Sequence, residues 1–200
     1  MKNNPEQSRW GSVALVSYVP APLGATLDRL RHVTPIDSSP QAHVTLLPPR
    51  PLLAPVEVAS TAIQEVLKRF QPFQVQFSSI HRFPNTNVIY LDIAEGRSAL
   101  HALHDSLNSG VLAHAEVFDY LPHLSLSFPL PEDLSEEVHQ KAEAAWNEIT
   151  APRGFQLEET VLLWKSPGSE PGRWQRLWTR QLGINAVAAS AAHSTVTHQT

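Results

Sequence analysis

Residues 43–48 have the sequence HVTLLP, and residues 123–129 have the sequence HLSLSFP. Each stretch places a histidine two positions before a hydroxyl side chain, with aliphatic residues between and after them. Side chains alternate between the two faces of a β-strand, so positions i and i+2 lie on the same face. Each stretch is therefore predicted to be a strand that buries its aliphatic face and presents an imidazole beside a hydroxyl on the other.

The alternation assigns His43 and Thr45 to one face of the first strand. In the second strand it assigns His123, Ser125 and Ser127 to one face, and the aliphatic and aromatic residues between them to the other. If the two strands face each other, one cleft holds two imidazoles together with the hydroxyls beside them.

The surroundings of the two stretches repeat as well. Each runs into prolines and then into a long segment with apolar residues at helical spacing, residues 56–70 after the first stretch and 131–149 after the second. Two copies of one strand–proline–helix pattern predict two lobes related by a pseudo-twofold axis.

The rest of the chain supplies further strands and helices in mixed order. Apolar and β-branched runs between the prolines predict about seven strands, namely 12–19, 42–47, 73–79, 88–93, 121–128, 155–164 and 173–179. Helical spacing predicts about four helices, namely 23–33, 56–70, 97–108 and 131–149. Because strands and helices do not alternate strictly, a Rossmann-type parallel sheet is disfavoured. We predict a bilobal α+β fold in which two mostly antiparallel sheets line a central cleft and the helices lie outside.

One domain is expected over residues 10–182. Residues 1–9 are polar and are predicted to be a flexible N-terminus. From residue 183 to residue 200 the chain consists mainly of alanine, serine, threonine and histidine without a period, which is typical of a disordered tail.

Composition limits the function classes. The 200 residues contain no cysteine, so disulfides, thiolate nucleophiles and cysteine-based metal sites are excluded. The formal net charge of −4 disfavours a broad nucleic-acid surface and favours a local pocket for any nucleotide. No stretch approaches the ~20 apolar residues of a membrane span, so we expect a soluble protein without a membrane partner. The absence of cysteine is compatible with the cytoplasm, and we expect a cytoplasmic monomer.

The paired stretches suit in-line displacement at phosphorus. One neutral histidine of the pair His43 and His123 can accept a proton from the attacking hydroxyl or water, and the other, protonated, can donate to the leaving oxygen. Thr45 and Ser125 can donate hydrogen bonds to the non-bridging oxygens. These groups replace the usual roles of a metal ion, so we expect neither a metal nor a cofactor.

These motifs identify a resemblance. His43-Val44-Thr45-Leu46, His123-Leu124-Ser125-Leu126 and the elements around them resemble the 2H phosphoesterases, a group that includes bacterial 2′-5′ RNA ligase-like proteins and cyclic nucleotide phosphodiesterases. The resemblance covers roughly residues 10–182. It implies a bilobal α+β fold with a central cleft, and hydrolysis or transesterification of 2′,3′-cyclic or 2′-5′ phosphodiesters of nucleotides or RNA ends.

The resemblance also implies the roles of the motif residues. His43 and His123 correspond to the catalytic pair and Thr45 and Ser125 to the phosphate-binding hydroxyls; by family analogy His43 is the general acid and His123 the general base. Many relatives have threonine where this chain has Ser125. The proline-rich segment 48–51 is expected to shape one wall of the cleft differently.

Three more residues are candidate substrate contacts. Arg50 follows the first motif and could meet a phosphate, although a solvated loop arginine is at least as good an interpretation. Arg82 and Phe83 precede a turn and could supply a cation and a stacking ring for a base; an ordinary polar turn is slightly favoured. His101 and His104 share a helix, but without a further ligand at metal spacing they are better interpreted as surface histidines.

Other features leave alternatives open. Five aromatic residues could stack on a base, although aromatic residues in strands are usually core: Tyr18, Tyr90, Tyr120, Trp164 and Trp174. Residues 161–182 form a basic hairpin that is expected beside the second motif, where it could guide a phosphate or simply be a solvated sheet face.

Three alternative functions also fit the motifs. The first is a nucleotide- or RNA-binding module that keeps the cleft without turnover. The second is 2′-5′ RNA ligation by reversal of the same chemistry. The third is a phosphoesterase for a small metabolite other than RNA.

Overall fold

The computed structural model describes residues 9–31, 41–170 and 172–183. This part of the chain contains eight strands: β1 (Ser12–Tyr18), β2 (His43–Pro51), β3 (Phe73–Arg82), β4 (Ile89–Glu95), β5 (His123–Ser125), β6 (Gly154–Leu157), β7 (Glu159–Lys165) and β8 (Gln175–Gln181). Its four α-helices are α1 (Leu23–Arg31), α2 (Val56–Leu67), α3 (Arg97–Leu107) and α4 (Glu132–Asn147). A short 3-10 turn, Gly110–Leu112, follows α3.

The strands form two four-stranded sheets in which every pairing is antiparallel. The first sheet has the order β2-β1-β7-β8, and the second has the order β5-β4-β3-β6. The two motif strands, β2 and β5, are therefore edge strands of different sheets, and they contact each other. The predicted bilobal α+β fold is confirmed, with one motif in each sheet.

Strand β1 lies between β2 and β7 in the first sheet. Its five inner residues are all buried, and Val13 and Leu15 are 0% exposed. A strand covered on both faces needs a continuous apolar run, and a half-exposed strand needs alternation. The sequence SVALVSY has the first pattern, and the structure places this strand inside a sheet.

The helices lie outside the sheets and bury one face each. Helix α2 buries Ile63 and Leu67, and its Ser60 hydroxyl accepts a hydrogen bond from Trp178 Nε1 of β8 at 2.7 Å. Helix α4 packs on β3, where Trp146 Nε1 donates to the carbonyl of Ser78 at 2.7 Å. Buried indoles use their N–H in this way because an unpaired buried donor would cost free energy.

The predicted strand 155–164 is wrong in one respect, because it is two strands in two sheets. Residues 154–157 form β6, which pairs with β3, and residues 159–165 form β7, which pairs with β1. The chain crosses between the sheets at Glu158, whose carbonyl accepts a hydrogen bond from the Leu182 amide at 2.8 Å. Neither proline nor glycine marks this crossing, so the local sequence carried no signal for it.

Two further strand boundaries differ from prediction. Strand β2 continues to Pro51 through three prolines, which an edge strand tolerates because its outer amides are not needed for a ladder. Strand β5 ends at Ser125; Ser127 is buried, its hydroxyl accepts from the Ile89 amide at 2.9 Å, and Phe128 is 55% exposed. The expectation that Ser127 shares the face of Ser125 is therefore wrong. The predictions for residues 1–8, 32–33 and 184–200 lie outside the described residues.

Two leucines in neighbouring strands test this account of the core. Leu162 of β7 is 0% exposed, and Leu177 of β8 is 38% exposed. Leu162→Ala is expected to lower the free energy of unfolding by about 2–5 kcal/mol because it leaves a cavity. Leu177→Ala is expected to lower it by less than about 0.5 kcal/mol, as exposed substitutions do. Urea unfolding followed by tryptophan fluorescence measures both, and equal losses would contradict the assigned burial.

Candidate functional site

The two motifs occupy equivalent positions on facing edge strands. His43 and Thr45 lie on β2, His123 and Ser125 lie on β5, and all four side chains are partly buried. The aliphatic residues that alternate with them are 0% exposed: Val44, Leu46, Leu124 and Leu126. The alternation predicted for the first three positions of each motif is therefore confirmed, with one face in the core and the other towards the junction of the sheets.

Both imidazoles are held by the same backbone interaction. Nδ1 of His43 lies 2.7 Å from the carbonyl oxygen of Gln41, and Nδ1 of His123 lies 2.7 Å from that of Leu121. A carbonyl oxygen only accepts hydrogen bonds, so Nδ1 carries the proton in both rings. In each neutral ring Nε2 is therefore unprotonated and can accept a proton. Nε2 of His123 lies 3.1 Å from the Ser125 hydroxyl. Each half of the site thus fixes its ring through the carbonyl two residues earlier.

Burial lowers the pKa of both histidines below the usual value. For His43 the hydrogen bond to the Gln41 carbonyl opposes this effect, and the positive charges of Arg31 and His123 lower the pKa further. For His123 the hydrogen bond to its carbonyl partner and the negative charge of Asp92 raise the pKa again, without cancelling the effect of burial.

Strand β4 supplies the surroundings of His123. Asp92 of β4 lies directly opposite His123 in the strand register. The Asp92 carboxylate accepts a hydrogen bond at Oδ1 from Arg97 at 2.5 Å. Tyr90 and Phe83 stack on each other with ring centroids 4.1 Å apart, and both meet the His123 ring edge-on, at 5.4 and 5.1 Å. These contacts hold the imidazole plane from one side.

A mainly apolar cavity of about 540 Å³ opens beside the motifs. Thr45, His123 and Ser125 are among the residues that line it, and His43 is not. Its walls come from the segment after the first motif, the turn after β3 and the segment before β5, including Pro48, Pro49, Phe83, Val117, Phe118 and Tyr120. Val117 and Phe118 are 79% and 63% exposed, which is unusual for apolar side chains of this size.

The three candidate substrate contacts separate in the structure. Phe83 lines the cavity. Arg82 points to helix α4 instead, where Nη1 donates to the Ser135 hydroxyl at 2.6 Å and lies 3.9 Å from Glu136. The hypothesis that Arg82 and Phe83 meet the substrate together is therefore wrong for Arg82, because adjacent side chains of an extended segment point to opposite sides.

Arg50 requires a correction, because it is neither a solvated loop arginine nor placed in the cavity lining. It is 1% exposed, pairs with Glu116, and donates from Nη1 to Asn108 Oδ1 at 2.6 Å and to the Leu112 carbonyl at 2.9 Å. Burial lowers its pKa, and Glu116 opposes that shift. The arginine therefore anchors the segment before β5 to β2.

The basic hairpin also lies elsewhere than expected. Strands β7 and β8 belong to the first sheet, so this hairpin is on the His43 side and not beside the second motif. The Arg176 guanidinium lies over the Tyr18 ring at 5.5 Å, and that ring meets His43 edge-on at 6.0 Å. Sheet order could not be inferred from the local sequence.

Several residues of the site had no signal in the motifs. Asp92 faces His123 only because of the β4–β5 register, and Glu116 joins Arg50 and His104 across the chain. His104 is 4% exposed, so its interpretation as a surface histidine is wrong. Within residues 9–31, 41–170 and 172–183, no three histidine and carboxylate side chains are grouped in a way that could hold a metal ion.

Comparison with known proteins agrees with this geometry. The profile of the 2′-5′ RNA ligase superfamily matches residues 19–169. The chain belongs to this superfamily. The resemblance to 2H phosphoesterases is thereby confirmed, and the matched residues contain both histidine motifs of this chain.

Two sequence relatives come from Geobacillus. A protein of Geobacillus sp. (strain WCH70), named "Putative phosphoesterase", is 34% identical over 101 residues, which are 45% of this chain and 57% of that protein. A protein of the same description from Geobacillus kaustophilus (strain HTA426) is 32% identical over the same shares. The chain therefore aligns with little more than half the length of these curated relatives.

Three solved structures share the fold of this chain. LigT of E. coli, in a complex with 3′-AMP, has a TM-score of 0.59 at 16% identity over 88% of this chain and 99% of its own. TT0787 of Thermus thermophilus has a TM-score of 0.57 at 19% identity, covering 86% and 98%. Usb1 of Kluyveromyces marxianus, with uridine monophosphate, has a TM-score of 0.52 at 13% identity, covering 85% and 98%.

In the three described ranges, no helix has both the length and the apolar composition that crossing a membrane requires.

Arg50 provides a test of its structural role. Arg50→Met keeps most of the side-chain volume but removes the arginine partner of the Glu116 carboxylate, which keeps only His104, and is expected to lower the free energy of unfolding by about 3 kcal/mol. Arg29→Met removes an exposed arginine of α1 and is expected to change it by less than about 0.5 kcal/mol. Urea unfolding of both variants measures the difference. A fully stable Arg50 variant that no longer binds inorganic phosphate would instead support a phosphate contact.

Proposed function

We propose that this protein is a phosphodiesterase that cleaves 2′,3′-cyclic or 2′-5′ phosphodiesters of nucleotides or RNA ends by two-histidine acid–base catalysis without a metal ion. The observation that carries the proposal is the pairing of His43 and His123. Both rings are anchored through Nδ1 by the carbonyl two residues earlier, and both stand beside a hydroxyl on facing edge strands. Superfamily membership and the phosphoesterase description of the relatives support it.

The reaction requires one proton acceptor and one proton donor. The neutral Nε2 of one histidine removes a proton from the attacking water while its oxygen forms a bond to phosphorus. The protonated Nε2 of the other donates its proton to the ribose oxygen as the bond from that oxygen to phosphorus breaks. In a 2′,3′-cyclic substrate this opens the ring and leaves a phosphomonoester, and in a 2′-5′ linkage it separates two nucleosides.

The family resemblance assigns a role to each hydroxyl and each histidine of the motifs. Thr45 and Ser125 donate to the non-bridging oxygens, where charge develops in the transition state. His43 acts as the general acid and His123 as the general base. Because their pKa values are lowered, both imidazoles are neutral in the free protein near pH 7. The general acid must be protonated, and the negative charge of a bound phosphate favours this by raising the pKa of that histidine.

The cavity beside His123 favours a nucleoside as the group attached to phosphorus. Phe83, Val117 and Phe118 offer apolar surface in a space of about 540 Å³, within the ordinary range for a small-ligand pocket. Structures of the fold neighbours LigT and Usb1 have been solved with 3′-AMP and with uridine monophosphate, respectively. A flat base in the cavity would leave its ribose phosphate over the two motifs.

A product screen tests this function. The substrates are the four 2′,3′-cyclic nucleotides, a 2′-5′ dinucleotide and ADP-ribose cyclic phosphate, with chromatography to identify the monoester formed. Hydrolysis of at least one is expected, unchanged by EDTA, and His43→Ala and His123→Ala are each expected to lower kcat at least about hundredfold because each removes one proton-transfer group. His139→Ala, a histidine of α4 away from the cavity, is the matched control and is expected to keep full activity.

The other outcomes of the screen decide between functions. Binding of cyclic nucleotides without turnover would indicate a binding module. Joining of RNA ends in preference to hydrolysis would indicate a ligase. Loss of activity on chelation would contradict the metal-free mechanism, and full activity in either motif variant would contradict the catalytic pair.

The pH dependence follows from the lowered pKa values of the two histidines. The base must be neutral and the acid protonated, so kcat/KM falls on both sides of a pH maximum. The two limbs of this profile report the pKa values of the two histidines in the free protein. Because burial lowers both pKa values below 6.5, that maximum is expected on the acid side of pH 6.5. A kcat/KM profile from pH 4.5 to 9 measures it, alongside the ring titrations of both histidines by NMR. A maximum at pH 8 would contradict the assigned environment.

A further inference from the structure

One side chain links the segment just before β5 to the first motif strand, β2. The Tyr120 hydroxyl donates to the carbonyl oxygen of Thr45 at 2.7 Å. Tyr120 lies three residues before His123, and Thr45 is the hydroxyl residue of the first motif. Because β2 and β5 are edges of different sheets, ladder hydrogen bonds do not set the distance between them. The bond from Tyr120 crosses this gap.

The Tyr120 ring has little freedom to move. It stacks on His104 of α3 with ring centroids 4.0 Å apart and an interplanar angle of 5°, and His101 meets it edge-on at 5.5 Å. Burial raises the pKa of the phenol, with the negative charge of Glu116 adding to the effect, so the hydroxyl remains a donor throughout the neutral range.

A buried polar network holds His104 in turn. Its Nε2 donates to Glu116 Oε1 at 3.0 Å, and Glu116 is paired with Arg50 of β2. Arg50 also donates to Asn108 at the end of α3 and to the Leu112 carbonyl. Networks of this kind are rigid when every member is satisfied. The segment before β5 is therefore fastened to β2 at two points, through the ion pair and through the Tyr120 hydroxyl.

We infer that Tyr120 is a positioning residue, whose hydrogen bond to the Thr45 carbonyl sets the separation of His43 and Thr45 from His123 and Ser125 so that one phosphate meets both halves. This inference rests on the proposed function. Proton transfer on the two sides of one phosphorus tolerates little error, because a displacement of about 1 Å can cost about hundredfold in rate. Sheets that meet only at their edges need a device that fixes this distance.

Tyr120→Phe tests the inference, because it removes the hydroxyl and keeps the ring that stacks on His104. The apolar walls of the cavity are retained, so KM is expected to change less than about threefold, and kcat is expected to fall about tenfold to hundredfold. The measurement is steady-state kinetics on whichever substrate of the panel the wild-type protein cleaves.

Thr160→Val is the matched control. The Thr160 hydroxyl is buried in β7 and donates to the carbonyl of Arg180 at 3.1 Å, so this variant also loses one hydroxyl-to-carbonyl bond, but away from the cavity. The melting temperatures of the two variants are expected to fall by similar amounts, and Thr160→Val is expected to keep the wild-type kcat. Equal losses of kcat in both would overturn the positioning role and indicate a general effect of stability.

A titration with inorganic phosphate separates this inference from the proposed function, because it needs no turnover. NMR of the imidazole nitrogens is expected to show that phosphate shifts both His43 and His123 in the wild-type protein. In Tyr120→Phe, phosphate is expected to shift the resonances of one ring and to leave those of the other near their phosphate-free positions. A wild-type protein that responds to phosphate but cleaves no substrate would contradict the function alone. A Tyr120→Phe variant with wild-type kcat, or with a wild-type phosphate response if nothing is cleaved, would overturn the inference.

Discussion

The candidate site exists because the edges of two sheets face each other. Strand β2 ends one side of the first sheet and β5 one side of the second, and their exposed faces carry the two motifs. An edge strand is normally a liability, since its unpaired backbone groups invite association with other chains. Here the edges are short or rich in proline, and the space between them opens into the cavity. Chemistry that needs two proton-transfer groups on opposite sides of one atom is well served by two strands that meet without pairing.

Within each half, a local interaction does the fine positioning. The hydrogen bond from Nδ1 to the carbonyl two residues earlier fixes the tautomer and orientation of both His43 and His123. Burial of the aliphatic residues that alternate with them holds the strand in register, because a slip by one residue would bring Val44 or Leu124 to the surface. The same burial lowers the pKa of both histidines and so links packing to protonation. Between the halves, the contacts of Tyr120, and of Arg50 with Glu116, replace the ladder that the two edges lack.

The two sides of the site differ despite the repeat. The His123 side has the stacked rings of Phe83 and Tyr90, the carboxylate of Asp92 and the apolar cavity. The His43 side has Tyr18 beneath the guanidinium of Arg176. A duplicated motif therefore sits in unlike surroundings, and this asymmetry supports a substrate that is itself unsymmetrical about its phosphorus, as a nucleoside phosphodiester is.

The sequence by itself determined most of the elements and the faces of the first three positions of each motif. Strand alternation and helical spacing are local, so the pairing of each histidine with its hydroxyl, the buried run of β1 and the two lobes could all be inferred from them. Everything that depends on register or on contacts between distant segments required the tertiary structure. The crossing at Glu158 has no turn residue, Arg50 is buried because Glu116 meets it, and Asp92 faces His123 through strand register. Contacts between residues far apart in the chain leave no periodic pattern in the sequence. Which edge strands of separate sheets come to face each other is decided only when the two sheets pack together.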